Sequence, residues 1–222
     1  MLDRHLRPVI DPPLNYLGAR LAAAGVPADA VTLAGLVLGL GAGAAIWIGA
    51  FWVALGFLLA SRLADGLDGA VARASRPTDF GGYLDIVSDY AFYAAVPLGF
   101  VLADPTANGA AGAFLVASFY VNAGSFLGYA ILAERHGMTT RARGAKSLYF
   151  AGGLLEGTET ILFFSVLCLW PGLFAPLAWG FGALCLITAA SRLLLARRLF
   201  GPQATGPNNE SRGNCPKQLP PP

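Results

Sequence analysis

Residues 61–89 read SRLADGLDGAVARASRPTDFGGYLDIVSD, and the rest of the chain is understood outward from this stretch. Asp65, Asp68, Gly69 and Ala72 follow i, i+3, i+4, i+7 spacing, while Gly81, Asp85 and Asp89 follow i, i+4, i+8. Each set falls on one stripe of a helix, so two helices with one acidic face each are expected. Both segments are embedded in long apolar sequence. An ionised carboxylate at membrane depth is costly unless paired, which makes such acids functional candidates by default.

The apolar setting extends along the chain. Of the 222 residues, 55% are hydrophobic and 13% charged, and the mean hydropathy is +0.58, more apolar than a soluble globular domain. Windows of about 20 mainly apolar residues, enough to cross a hydrocarbon core, fall at 30–50, 52–74, 80–103, 109–133, 149–170 and 174–196. They predict an all-α integral membrane fold, a six-transmembrane-helix bundle over residues 27–200. In residues 1–26, Leu2, Leu6, Val9, Ile10, Leu14, Leu17 and Leu21 alternate with Arg and Asp. That pattern predicts an N-terminal interfacial amphipathic helix, broken once at Pro12 and Pro13. Residues 201–222, rich in Pro, Gly and Asn, are expected to form a disordered tail.

Charge placement orients the bundle. The connections near Ala50, Asp104–Asn108 and Pro171–Gly172 lack Lys and Arg. The opposite end holds Arg4, Arg7, Arg20, Arg73, Arg76, Arg135, Arg141, Arg143, Lys146, Arg197 and Arg198. The positive-inside rule then places both termini and the acidic site in the cytoplasm, with the chain in an inner or plasma membrane. The N-terminus lacks a continuous apolar stretch and a small-residue cleavage site, so it does not read as a signal peptide. A net charge of +2 and no basic stripe interleaved with aromatics give no reason to expect a nucleic-acid partner. Cys168 and Cys185 lie in apolar runs and Cys215 in the tail, a pattern without a disulfide framework.

The second span descends toward the loop at residues 75–79 and the third ascends from it. At 1.5 Å per residue, Asp68 lies about 9 Å above Ala74 and Asp85 about 8 Å above Phe80. The acidic faces are therefore expected to meet at one depth. Four carboxylates brought together repel unless cations neutralise them. Two divalent ions balance four charges, and oxygen ligands without His or Cys favour Mg²⁺ or Mn²⁺ over Zn²⁺. His5 and His136 lie outside the spans. Gly69 allows a phosphate to approach the backbone, or two helices to pack. Arg73, one turn below, is placed either to reach a diphosphate or to snorkel at the helix end.

These residues resemble the signature of the CDP-alcohol phosphatidyltransferase family, D-x-x-D-G-x-x-A-R, a short spacer, then G-x-x-x-D-x-x-x-D. It is met here by Asp65, Asp68, Gly69, Ala72, Arg73, Gly81, Asp85 and Asp89. The spacer, ASRPTDF, is slightly shorter than is usual in the family. Where members often show P-N-x-V-T before the first span, this chain has Asp29 in the Asn place and keeps Thr32. The resemblance implies that Asp65, Asp68 and Asp85 hold two Mg²⁺ or Mn²⁺ ions, with Asp89 completing the site and acting as general base. It also implies that Gly69, Arg73, Thr78, Gly81 and Thr32 contact a CDP-linked donor. The implied reaction is attack by an alcohol on the distal phosphorus of the donor, usually CDP-diacylglycerol, with release of CMP in phospholipid biosynthesis. Family members often form homodimers.

For the acceptor, Arg141, Arg143 and Lys146 stand near the site mouth and suit a phosphorylated alcohol, although positive-inside topology explains them equally. Glu156 and Glu159 form a second intramembrane acidic pair. They either shape the acceptor pocket or pair with Arg62 or Arg192. Two other readings differ in what they require. A membrane prenyltransferase needs two aspartate motifs in separate halves of a larger bundle, and a cation-binding transporter is expected to carry inverted repeats with broken helices.

Overall fold

A computed structural model describes residues 3–137 and 157–201. These form seven α-helices: α1 (Asp3–Ala23), α2 (Ala28–Trp47), α3 (Phe51–Ala74), α4 (Asp79–Ala103), α5 (Pro105–Arg135), α6 (Gly157–Leu169) and α7 (Phe174–Phe200). A short 3₁₀ turn, Pro171–Leu173, links the last two. The described residues contain no strand. Among the described residues, four segments are long and apolar enough to cross a membrane: α2, α4, α5 and the continuous run Pro171–Phe200. The chain is a membrane protein. At 24 residues α3 has comparable length, but Arg62, Asp65, Asp68 and Arg73 interrupt its apolar character. Of the window predicted at 149–170, the described part is α6 and Trp170.

Helix boundaries follow local chemistry. Thr78 caps α4, its hydroxyl accepting from Gly81 N–H at 3.0 Å. Asp104 caps α5, accepting from Ala107 N–H at 2.9 Å, with Pro105 in the first turn, where its missing N–H costs nothing. Gly49, at φ 78°, makes the tight reversal between α2 and α3. One expectation is corrected here. The helix α1 runs unbroken through Pro8, Pro12 and Pro13. Its second half is clamped against α3, where Leu14 is buried and Gly18 packs on the backbone of Ala70. That packing outweighs the backbone donors that the prolines remove.

The helices that carry the acids pack along α2 rather than along each other. The small residues of α2 allow this, as is usual where helices associate in lipid. A Cβ on Gly43 would lie 2.6 Å from the Ala95 carbonyl oxygen, and one on Gly99 would run into the carbonyl of Gly43. Away from the acids the space is filled by aromatics. Phe92, Phe100, Phe164 and Phe174 are fully buried, and the Phe100 and Phe174 rings stack with centroids 4.6 Å apart. All four tryptophans, Trp47, Trp52, Trp170 and Trp179, lie toward this same end and are exposed, the arrangement of an interfacial aromatic belt. The opposite end carries Arg20, Arg73, Arg76, Arg135, Arg197 and Arg198.

Gly43→Val should force α2 and α4 apart and cost about 1–3 kcal/mol, seen as a lower melting temperature in detergent. Gly180→Val, where a Cβ meets nothing within 4 Å, should leave the melting temperature unchanged.

Candidate functional site

The site is built from α2, α3 and α4, with α1 against its outer side. On α3, Asp65 is partly exposed while Asp68 is buried. Asp68 Oδ2 accepts a 2.7 Å hydrogen bond from the Thr32 hydroxyl of α2. The same hydroxyl lies 3.2 Å from the Ala28 carbonyl one turn earlier, so Thr32 is held by its own helix while it meets the acid. On α4, Asp85 and Asp89 are partly exposed and face the α3 acids across the gap. The four lie close enough to feel one another's charge.

A cation joins them. Arg62, one turn deeper than Asp65 on α3, donates from Nη1 to Asp89 Oδ1 at 2.6 Å and lies 3.5 Å from Asp65 Oδ1. Its side chain is 9% exposed. Arg62 takes the acids of the site, and Arg192 Nη1 is bound by the Asn122 side chain at 3.1 Å and Ser125 Oγ at 2.6 Å.

The flanking residues assemble at the arginine-rich end. Arg73 folds back over Gly69, where a Cβ would sit 3.2 Å from Nη1, and its Nη2 donates to Asn15 Oδ1 of α1 at 3.0 Å. Gly81 faces both Thr78 Oγ1 and Asp29 Oδ1, each 3.0 Å from where its Cβ would be. Thr78, expected at the donor, thus also serves as the helix cap. Arg141, Arg143, Lys146 and Glu156 lie outside the described residues. Glu159 is in the first turn of α6.

Asn15, Asp29, Ser61 and Arg62 join the site without having been singled out for it in the sequence. The signal for Arg62 was present: an arginine inside a span, one turn from an acid, pairs with it more readily than with glutamates a hundred residues away.

The donor set suits a hard divalent ion, being all carboxylate with no imidazole or thiol among it. Among the described residues, no three such side chains are gathered into a closed coordination sphere. The acids stand on two helices that α2 holds apart.

Carboxylates facing one another on two apolar helices, with a glycine and an arginine beside them, form a charged centre within the helical bundle. Comparison with known proteins names the class. The family model for CDP-alcohol phosphatidyltransferase matches residues 26–195, and the chain belongs to this family. It is an enzyme that transfers a phosphoalcohol group from a CDP-alcohol in phospholipid biosynthesis.

The chain is 47% identical over 193 residues to inner membrane protein YnjF of Escherichia coli, covering 87% of this chain and 94% of that one. It is 42% identical over 84 residues to an archaetidylinositol phosphate synthase of Methanothermobacter thermautotrophicus, covering 37% and 42% respectively. An uncharacterized protein of Aquifex aeolicus is 34% identical over 168 residues, covering 72% of this chain and 76% of that one. No solved structure matches.

Thr32→Val should leave the buried Asp68 oxygen without its donor and destabilise the protein by about 1–3 kcal/mol. Thr32→Ser should retain the bond and melt within about a degree of wild type, since exchanging one hydroxyl for another leaves the bond in place.

Proposed function

We propose that this enzyme transfers a phosphatidyl group from CDP-diacylglycerol to the hydroxyl of a small phosphorylated alcohol, releasing CMP at the cytoplasmic face of the membrane. The observation that carries the proposal is the set of four acids on two facing helices at one level of the bundle. A diphosphate needs concentrated positive charge, and acids cost too much there to serve packing alone. The family is generally dependent on a divalent metal, and the carboxylate donor set fits one.

Asp65, Asp68 and Asp85 would hold two Mg²⁺ or Mn²⁺ ions, with Asp89 at the edge of the set. Bound there, the ions supply charge neutralisation for the diphosphate and for the departing phosphate. Thr32 fixes one oxygen of Asp68 and so orients the carboxylate. Gly69, without a side chain, leaves room beside Arg73, whose guanidinium can turn from Asn15 onto a phosphate oxygen. Gly81 and Thr78 form the rim where the nucleotide part would lie. Asp89, on the opposite helix, receives the proton of the acceptor hydroxyl as that oxygen attacks the distal phosphorus. CMP leaves with the electron pair of the broken P–O bond.

A phosphorylated acceptor is supported by the name of the archaeal relative, a synthase of an inositol phosphate lipid. The basic residues Arg141, Arg143 and Lys146, between α5 and α6, are suited to its phosphate, and Glu156 to its hydroxyls. Six membrane-crossing helices follow if α3 and the 149–170 segment join the four long apolar ones. The arginine-rich end then faces the cytoplasm together with both termini, and α1 lies along the interface. The small-residue helix faces suit a homodimer.

Purified protein in detergent with Mg²⁺ or Mn²⁺ and CDP-diacylglycerol should release CMP when given inositol 1-phosphate or glycerol 3-phosphate, and not with serine, inositol or choline. Asp68→Asn and Asp89→Asn should each lower turnover by about 10²–10⁴-fold, the range for loss of an acid–base or charge-positioning group. Release with an unphosphorylated alcohol alone would overturn the acceptor assignment. No release with any acceptor would overturn the donor. Full turnover in Asp89→Asn would remove the base role.

A further inference from the structure

Arg62 stands outside the family signature and outside every role assigned above, yet no side chain near the acids is more firmly held. Its guanidinium carbon lies 3.9 Å from the centre of the Phe92 ring, a desolvated cation–π contact to a fully buried aromatic of α4. Nη2 donates to Ser61 Oγ at 3.2 Å, and Ser61 is itself anchored through a 2.8 Å bond to the Gly35 carbonyl of α2. Nη1 donates to Asp89 Oδ1 at 2.6 Å. Three helices thus fix one planar cation, which an arginine reaching for the membrane surface would not need. Arg62, Ser61, Asp65, Asp68, Thr32 and Ser88 also line one small cavity beneath the acids, and the buried Arg62 Nε and Ser88 Oγ have no partner among the described residues.

We infer that Arg62 is the positioning residue for Asp89: set over the Phe92 ring, it anchors Oδ1 of that carboxylate and so fixes the plane in which the other oxygen receives the acceptor's proton. The inference rests on the transferase reading, in which Asp89 is the base. It makes Asp89 unequal to the other three acids, because Arg62 Nη1 bonds it at 2.6 Å and stands 3.5 Å from Asp65. The same contact lowers the negative charge that the cluster offers a cation. Four carboxylates and one guanidinium carry a formal −3, so the bundle gives up some cation affinity to hold Asp89 in place. An arginine serving only to stabilise the fold would change cation affinity without a matching loss of kcat.

The test separates turnover from cation binding. In Arg62→Met, kcat for CMP release should fall about 30-fold or more, while the KM for the CDP donor stays within about threefold. The Mn²⁺ dissociation constant, read by electron paramagnetic resonance without substrate, should fall by about threefold or more as the competing cation is removed. Arg62→Lys should recover part of kcat, since an ammonium can reach the carboxylate without reproducing the planar stack. In an Asp89→Asn background, Arg62→Met should cost less than about threefold further, because the two changes break one interaction.

Weaker Mn²⁺ binding in Arg62→Met, or a kcat within about threefold of wild type, would overturn the inference, as would full additivity with Asp89→Asn. A wild-type protein that turned over no CDP donor would overturn the transferase reading instead. Arg62 would then be judged on the Mn²⁺ measurement alone.

Discussion

Charge buried among apolar helices is the constraint on which the rest of this structure depends. Four aspartates at the level where α3 and α4 face each other cannot be left unpaired in a medium that solvates them poorly. The surroundings act as compensation. Thr32 donates to the buried Asp68, Arg62 places a cation between Asp65 and Asp89, and Asp65, Asp85 and Asp89 stay partly exposed. Such an arrangement leaves the cluster with a net negative charge, four carboxylates against one guanidinium.

The helix that sets the spacing of α3 and α4 is α2, along which both pack. Its glycines let both neighbours approach closely, Gly43 against the backbone of Ala95 and Gly35 beside Ala64. Further from the acids, the Phe92, Phe100, Phe164 and Phe174 cluster closes the core. The helix α1 adds a clamp from outside, with Leu14 seated over Gly66 and Asn15 holding Arg73.

Much of this was legible in the residues. Apolar windows of membrane length marked the four helices α2, α4, α5 and α7, and the spacing of Asp65, Asp68, Asp85 and Asp89 placed them on two helices that face each other, because helical periodicity is a local property that sequence records directly. The caps at Thr78 and Asp104 follow the same local rules. The prolines at 12 and 13 were misleading. They speak of backbone preference, and at Leu14 and Gly18 a tertiary contact overrode it. Arg62 was visible as an intramembrane cation, but its partner was not. Two side chains 27 positions apart meet only because α2 sets the distance between their helices.

The sequence by itself determined the apolar solvent, the helical elements and the acidic stripe on each of two helices, since each depends on composition or on neighbours within two turns. Only the tertiary structure decided which helices touch, that Thr32 belongs to Asp68 and Asn15 to Arg73, and that Arg62 is committed to Asp89. Those pairings depend on distances between separate helices. Such distances are set by how closely glycine and alanine let backbones approach, a quantity that no single segment of the chain contains.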